Sequence, residues 1–208
     1  MERRDILKKI IIILLIFFSL LTTINSSIVN AEPEDIFLSS GKVLETIGVL
    51  KGNADGDLML NNYLNRQDMV VLVSRLYKEE NKAKSFLTKP KFKDLTDAYS
   101  FYNPYIGWAV DKGLIKGMGD NTFGVNKNVT VHQFMVVLLR VLGYEEESRL
   151  WNTAPELSIK LGIMKGLDNN YKSNLTRGQM AVMTLNSLKL TTKGSTLTLA
   201  EKLNLEIK

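Results

Sequence analysis

Gly48-Val49-Leu50-Lys51-Gly52 returns as Gly113-Leu114-Ile115-Lys116-Gly117 and again as Gly162-Ile163-Met164-Lys165-Gly166. A short polar loop follows each pentad, and then a second signature: Leu64-Asn65-Arg66-Gln67-Asp68, Val129-Thr130-Val131-His132-Gln133 and Leu175-Thr176-Arg177-Gly178-Gln179. From the first Gly to the Asn or Thr the spacing is 17, 17 and 14 residues, so the third loop is three residues shorter. Three ordered recurrences at this spacing mark an internal repeat, which sets the architecture before any single motif does.

Working outward, the positions after each signature agree. Met69, Phe134 and Met180 lie four beyond the Asn or Thr, Leu72, Val137 and Met183 seven beyond, and Tyr77, Leu142 and Leu188 twelve beyond. That is an apolar stripe at helical spacing in each copy. Before each pentad a second helix is expected, over about 36–47, 104–112 and 155–161, each closed by the first Gly of its pentad. The unit reads as helix, glycine turn, polar loop, capped helix. Asn65 with Asp68, Thr130 with Gln133, and Thr176 with Gln179 form capping boxes or close variants that open the second helix.

One such hairpin cannot bury its stripe alone, so the copies should pack on one another. The expected fold is all-α in the main: three helix-loop-helix repeats closed as one pseudo-threefold domain. The expected segments are 32–84, 90–144 and 148–190, followed by a tail, 191–208, whose alternating Leu and Thr fit either a strand or a short helix. Residues 78–91 and 145–148 read as charged linkers.

The first 31 residues read differently. Arg3, Arg4, Lys8 and Lys9 precede a run of 12 residues, 10–21, broken only by Ser19, and a polar stretch ends in Val29-Asn30-Ala31. Basic, apolar and cleavable segments in that order are those of a signal peptide, with a cut expected after Ala31. Twelve residues fall short of the ~20 that a spanning helix needs; an uncleaved anchor is the other reading. Removing residues 1–31 turns 27 basic and 22 acidic residues into 23 and 20, a net charge of +3 in place of +5. That balance, without a clustered basic face, argues against nucleic acid. With no Cys the chain has no disulfide framework, thiolate metal site or lipidated cysteine.

Taken together these residues resemble the S-layer homology family, whose repeats join an aromatic-x-Asp opening, a Trp-Ala stretch, a Gly-Ile-x-x-Gly turn, a loop Phe and a Thr-Arg-Ala-Glu signature. The second copy supplies Phe92-Lys93-Asp94, Trp108-Ala109, the pentad 113–117 and Asp120-Asn121-Thr122-Phe123; the third keeps Leu175-Thr176-Arg177. The resemblance covers nearly all of 36–190. It implies non-covalent docking onto secondary cell-wall polysaccharide, with pyruvylated amino-sugar ends held in grooves between repeats. Carried over by position, the glycan contacts it implies are Arg66, Arg177, Asp94, Trp108, Gly52, Gly117 and Gly166. Val131 stands where the second copy should have its Arg, and copies one and three lack a clear Phe-x-Asp opening and the Trp at the matching place, so one or two working grooves are expected.

Each candidate has a plainer role beside it. An Arg in the first turn of a helix faces the positive end of the dipole, which makes sense where an anion sits beside it; the alternative is an Arg held by a neighbouring acid. Trp108 either stacks on a sugar or fills the core, and Asp94 either binds hydroxyls or caps a turn. The pentad glycines end helices, and bare backbone there also admits a ligand. Lys51, Lys116 and Lys165 either attract an anionic polymer or only solvate the surface. Asn53-Ala54-Asp55-Gly56-Asp57 fails as a calcium loop, because Lys51 and Asn62 would take its first and last ligand positions. His132 is the single His, so a zinc site is not expected, and no nucleophile motif is present. The chain therefore reads as an exported, non-enzymatic wall-binding module without metal or cofactor. Binding of an envelope protein, with no glycan, is the second reading.

Overall fold

The computed structural model describes residues 33–207; the expected signal peptide lies outside them. The elements are α1 (Pro33–Thr46), α2 (Arg66–Leu76), α3 (Glu80–Lys84), a 3-10 turn (Asp97–Tyr99), α4 (Asn103–Asp111), α5 (Val131–Val141), α6 (Glu145–Ser148), α7 (Ala154–Leu161), α8 (Arg177–Leu188) and α9 (Leu199–Lys202). The fold is mainly helical. Strand character among the described residues is confined to isolated bridging pairs.

Local chemistry places each boundary. Gly48, Gly113 and Gly162 have φ of 76°, 70° and 91°, a left-handed conformation that ends α1, α4 and α7 at little steric cost. Thr130 and Thr176 form full capping boxes with Gln133 and Gln179. Asn65 accepts from the Asp68 amide at 2.8 Å, while the Asp68 carboxylate turns outward to accept from the Tyr102 hydroxyl at 2.9 Å. The stripe positions Met69, Phe134, Met180, Leu72, Val137 and Met183 are all buried.

Helices pair between copies. Each first helix packs on the second helix of the copy before it: α4 on α2, α7 on α5, and α1 on α8, which joins the start of the chain to its third copy. Beneath them three backbone hydrogen bonds form a ring. Leu64 donates to Leu175 (2.9 Å), Leu175 to Val129 (2.8 Å), and Val129 to Leu64 (2.8 Å). These three residues, each immediately before a capping residue, are fully or almost fully buried.

The two charged linkers are more than linkers. In 78–91, α3 packs on α4, Ala83 is fully buried, and Glu80 bridges Arg75 (2.8 Å) and Lys51 (3.1 Å). In 145–148, α6 buries Ser148, whose hydroxyl donates to the Glu145 carbonyl at 2.6 Å. The tail combines both expected forms. Thr191 and Thr198 form an antiparallel bridge, and Thr198 with Glu201 then caps α9, burying Leu199, Ala200 and Leu205. Among the described residues no helix is long and apolar enough to cross a membrane.

Candidate functional site

The two signature arginines work as staples between copies. Arg66, at the first turn of α2, donates Nε to the Phe123 carbonyl at 2.8 Å and Nη2 to the Lys116 carbonyl at 3.0 Å. Its guanidinium also lies 5.0 Å from the centre of the Phe123 ring. Arg177, opening α8, does the same one interface away, to the carbonyls of Leu58 (2.8 Å) and Lys51 (2.9 Å). Lys51 and Lys116 share a pentad position, and Leu58 and Phe123 both lie ten residues beyond the pentad's first Gly. Each Arg thus ties the start of its helix to the turn and loop of the copy that follows. Of the two expected accounts, the neighbouring acid is corrected: backbone carbonyls hold both arginines. Val131 cannot make this tie, and the third copy's turn is held from within by Asn186, whose Nδ2 donates to the carbonyls of Ile163 (3.1 Å) and Lys165 (2.9 Å).

Carbonyls satisfy hydrogen bonds but do not cancel charge. Among the described residues no carboxylate lies within ion-pair distance of Arg66, Arg140 or Arg177. Arg66 is only 5% exposed. Burial pulls its pKa down, with the nearby Asp94 charge opposing, yet a guanidinium stays protonated at any physiological pH. Arg140 is lowered by the same desolvation, partly opposed by Glu145; it donates to the Leu114 carbonyl (2.8 Å) and the Ser148 hydroxyl (3.1 Å). Both arginines line one groove of about 330 Å³, together with Lys116, Gly117, Gln133 and Trp151. A larger cavity, about 530 Å³, lies between Ile47, Lys78 and Leu205 and contains none of the signature residues.

Asp94 faces inward to its own chain. Its carboxylate accepts from the amides of Phe123 (2.7 Å), Gly124 (2.7 Å) and Val125 (3.1 Å), a backbone nest that holds the loop which Arg66 grips from the other side. Desolvation pushes its pKa up, but those N–H donors outweigh it and leave the carboxyl below its ordinary value. A depressed folded pKa contributes stability above about pH 4, lost as pH falls through the folded pKa. Asp94→Asn should therefore be less stable than wild type at pH 7, with the gap closing below about pH 4. Urea midpoints across a pH series check this.

Trp108 is placed in the core. It is 1% exposed, its Nε1 donates to Glu79 at 2.8 Å, and its ring meets Tyr77 edge-on at 5.9 Å. It presents no face to a ligand, so the stacking role is corrected. Gly52 and Gly117 are occupied by their own loops: an added Cβ would come within 2.7 Å of the Asp57 carbonyl at Gly52, and within 2.7 Å of the Thr122 carbonyl at Gly117. Gly166, after the shortened loop, meets nothing closer than Ile36 at 3.7 Å and owes its identity to a φ of +84°.

The structure therefore brings Arg66 and Gly117 into one groove and keeps Arg177, Gly52 and Gly166 at other interfaces. Sequence reasoning missed Arg140 and Trp151. Arg140 sits ten beyond Thr130, where the other copies have Arg75 and Asn186. This polar position recurring beside an apolar stripe was the available signal.

Residues 91–130 match the family model for the S-layer homology domain. The chain is 26% identical over 130 residues to the Surface layer protein of Brevibacillus choshinensis, covering 62% of this chain and 12% of that protein. It is 24% identical over 151 residues to the Middle cell wall protein of Brevibacillus brevis, covering 72% of this chain and 14% of the relative. The chain thus spans about an eighth of the length of these relatives.

Proposed function

We propose, from the match of residues 91–130 to the S-layer homology domain model, that the chain is an exported cell-surface protein that anchors non-covalently to wall polysaccharide. The names of its relatives support the location, and the groove supports the chemistry. One observation carries the reading: Arg66, which is buried, and Arg140, which is half-buried, line a single groove with no carboxylate in ion-pair range among the described residues. A desolvated cation without a counter-ion is costly, and an acidic ligand relieves that cost through charge-assisted hydrogen bonds. A pyruvate ketal on an amino sugar is such an acid. Lys116, exposed at the rim, adds attraction for a polyanion. The role is binding rather than catalysis. The ring through Leu64, Val129 and Leu175 and the pairing of helices across copies support a pseudo-threefold arrangement, in which the groove at the first and second copies is the working one.

Lys116→Glu is the direct test. The Arg66 contact uses the Lys116 backbone carbonyl, so charge reversal leaves the staple in place. Co-sedimentation with purified Gram-positive sacculi should weaken about fivefold, the effect of ~1 kcal/mol at a rim charge. Unchanged binding would sink the anionic-groove reading. A second reading, an envelope-protein partner without glycan, is favoured by the internal employment of Trp108, Asp94, Gly52 and Gly117, and binding to protein but not to sacculi would support it.

A further inference from the structure

We infer that Trp151 is the sugar-stacking wall of this groove, taking the apolar face of a pyranose whose acidic substituent reaches the guanidinium groups; this rests on the proposed function. Trp151 belongs to no repeat signature. It lies at the start of the third copy, just ahead of α7, and stays 50% exposed, although an indole gains more than most side chains from burial. It is nevertheless held firmly. Its ring stacks on His132 at 3.8 Å between centroids and 26° between planes, and His132 Nε2 donates to the Trp151 carbonyl at 2.9 Å. His132 is itself buried and braced edge-on by Tyr171 at 5.8 Å.

One indole face is thus seated on a buried ring and the rest of the residue opens to solvent, beside the groove that holds Lys116 and Arg140. A fixed aromatic surface next to unpaired cations matches a ligand with both a C–H face and an acid group, the chemistry of an acidic sugar. Because the platform is already ordered, little side-chain freedom is lost on binding. Trp108, the other Trp, is fully enclosed and cannot serve.

The test is calorimetric titration of the purified chain with the soluble polysaccharide fraction released from Gram-positive sacculi by muramidase. Trp151→Ala should weaken binding about tenfold, and Trp151→Phe should stay within about threefold of wild type. Should Ala lower the melting temperature, Trp151→Leu, apolar but without a ring face, gives the same reading. Wild-type affinity in Trp151→Ala or Trp151→Leu, alongside weakened Lys116→Glu, would overturn the platform and leave the groove standing. Equal losses in the Phe and Ala variants would also overturn it. Failure of wild type to bind would remove the proposed function and this inference together.

Discussion

Trp108→Ala is expected to cost about 3–5 kcal/mol of stability, the range for truncating a fully buried aromatic, and to lower the melting temperature by roughly 10 °C. Three contacts go at once: the packing of the 1%-exposed indole, the edge-on meeting with Tyr77, and the hydrogen bond that Glu79 accepts. Glu79 also pairs with Lys112 at 3.1 Å, and Lys112 lies 5.5 Å from the centre of the Trp108 ring, so one truncation loosens the junction of α2, α3 and α4. Trp108→Phe keeps the volume in part and loses the donor, and should cost less. Urea unfolding and sacculus binding measured on the same samples check the core role. Stability intact with binding lost would restore the ligand role.

Arg66→Ala should cost about 2–4 kcal/mol, because two charge-assisted hydrogen bonds disappear and the carbonyls of Lys116 and Phe123 lose their donor. Arg66→Lys should recover little of this. An ammonium on a flexible stem cannot place two donors in the fixed fork that a guanidinium offers. Denaturant unfolding of the three forms decides: near-wild-type stability in either variant would contradict the staple. Loss of wall binding in Arg66→Ala is therefore no evidence for an anion contact unless the variant is shown to be folded. Exposed Lys116 is the cleaner probe of charge.

Much of the fold was legible because its signals are local. A left-handed Gly ends a helix whatever the helix packs against, and Asn65, Thr130 and Thr176 satisfy first-turn amides within their own segments. The observed helices 33–46, 103–111 and 154–161 accordingly lie within a few residues of their expected places. Which helix pairs with which was not legible. The stripe of α8 states that it must be covered, and nothing in residues 177–188 states that α1 does so. The site was legible only in its residue types. Arg66 and Arg177 stood out because a cation opens a helix there, yet their acceptors are carbonyls 50 or more residues away, and carbonyls leave no mark in a sequence. Trp108 carried a family motif and turned out to serve the core. Trp151, outside every motif, became visible only when His132 was seen beneath it.

The central claim is that a counter-ion-free cationic groove takes an acidic group of the cell wall. It is tested most directly by co-sedimenting the purified chain with Gram-positive sacculi before and after mild acid removes their pyruvate. Binding to untreated sacculi, lost on treatment and weakened in advance by Lys116→Glu, is the predicted result. Equal binding to treated and untreated sacculi, or none to either, would contradict it.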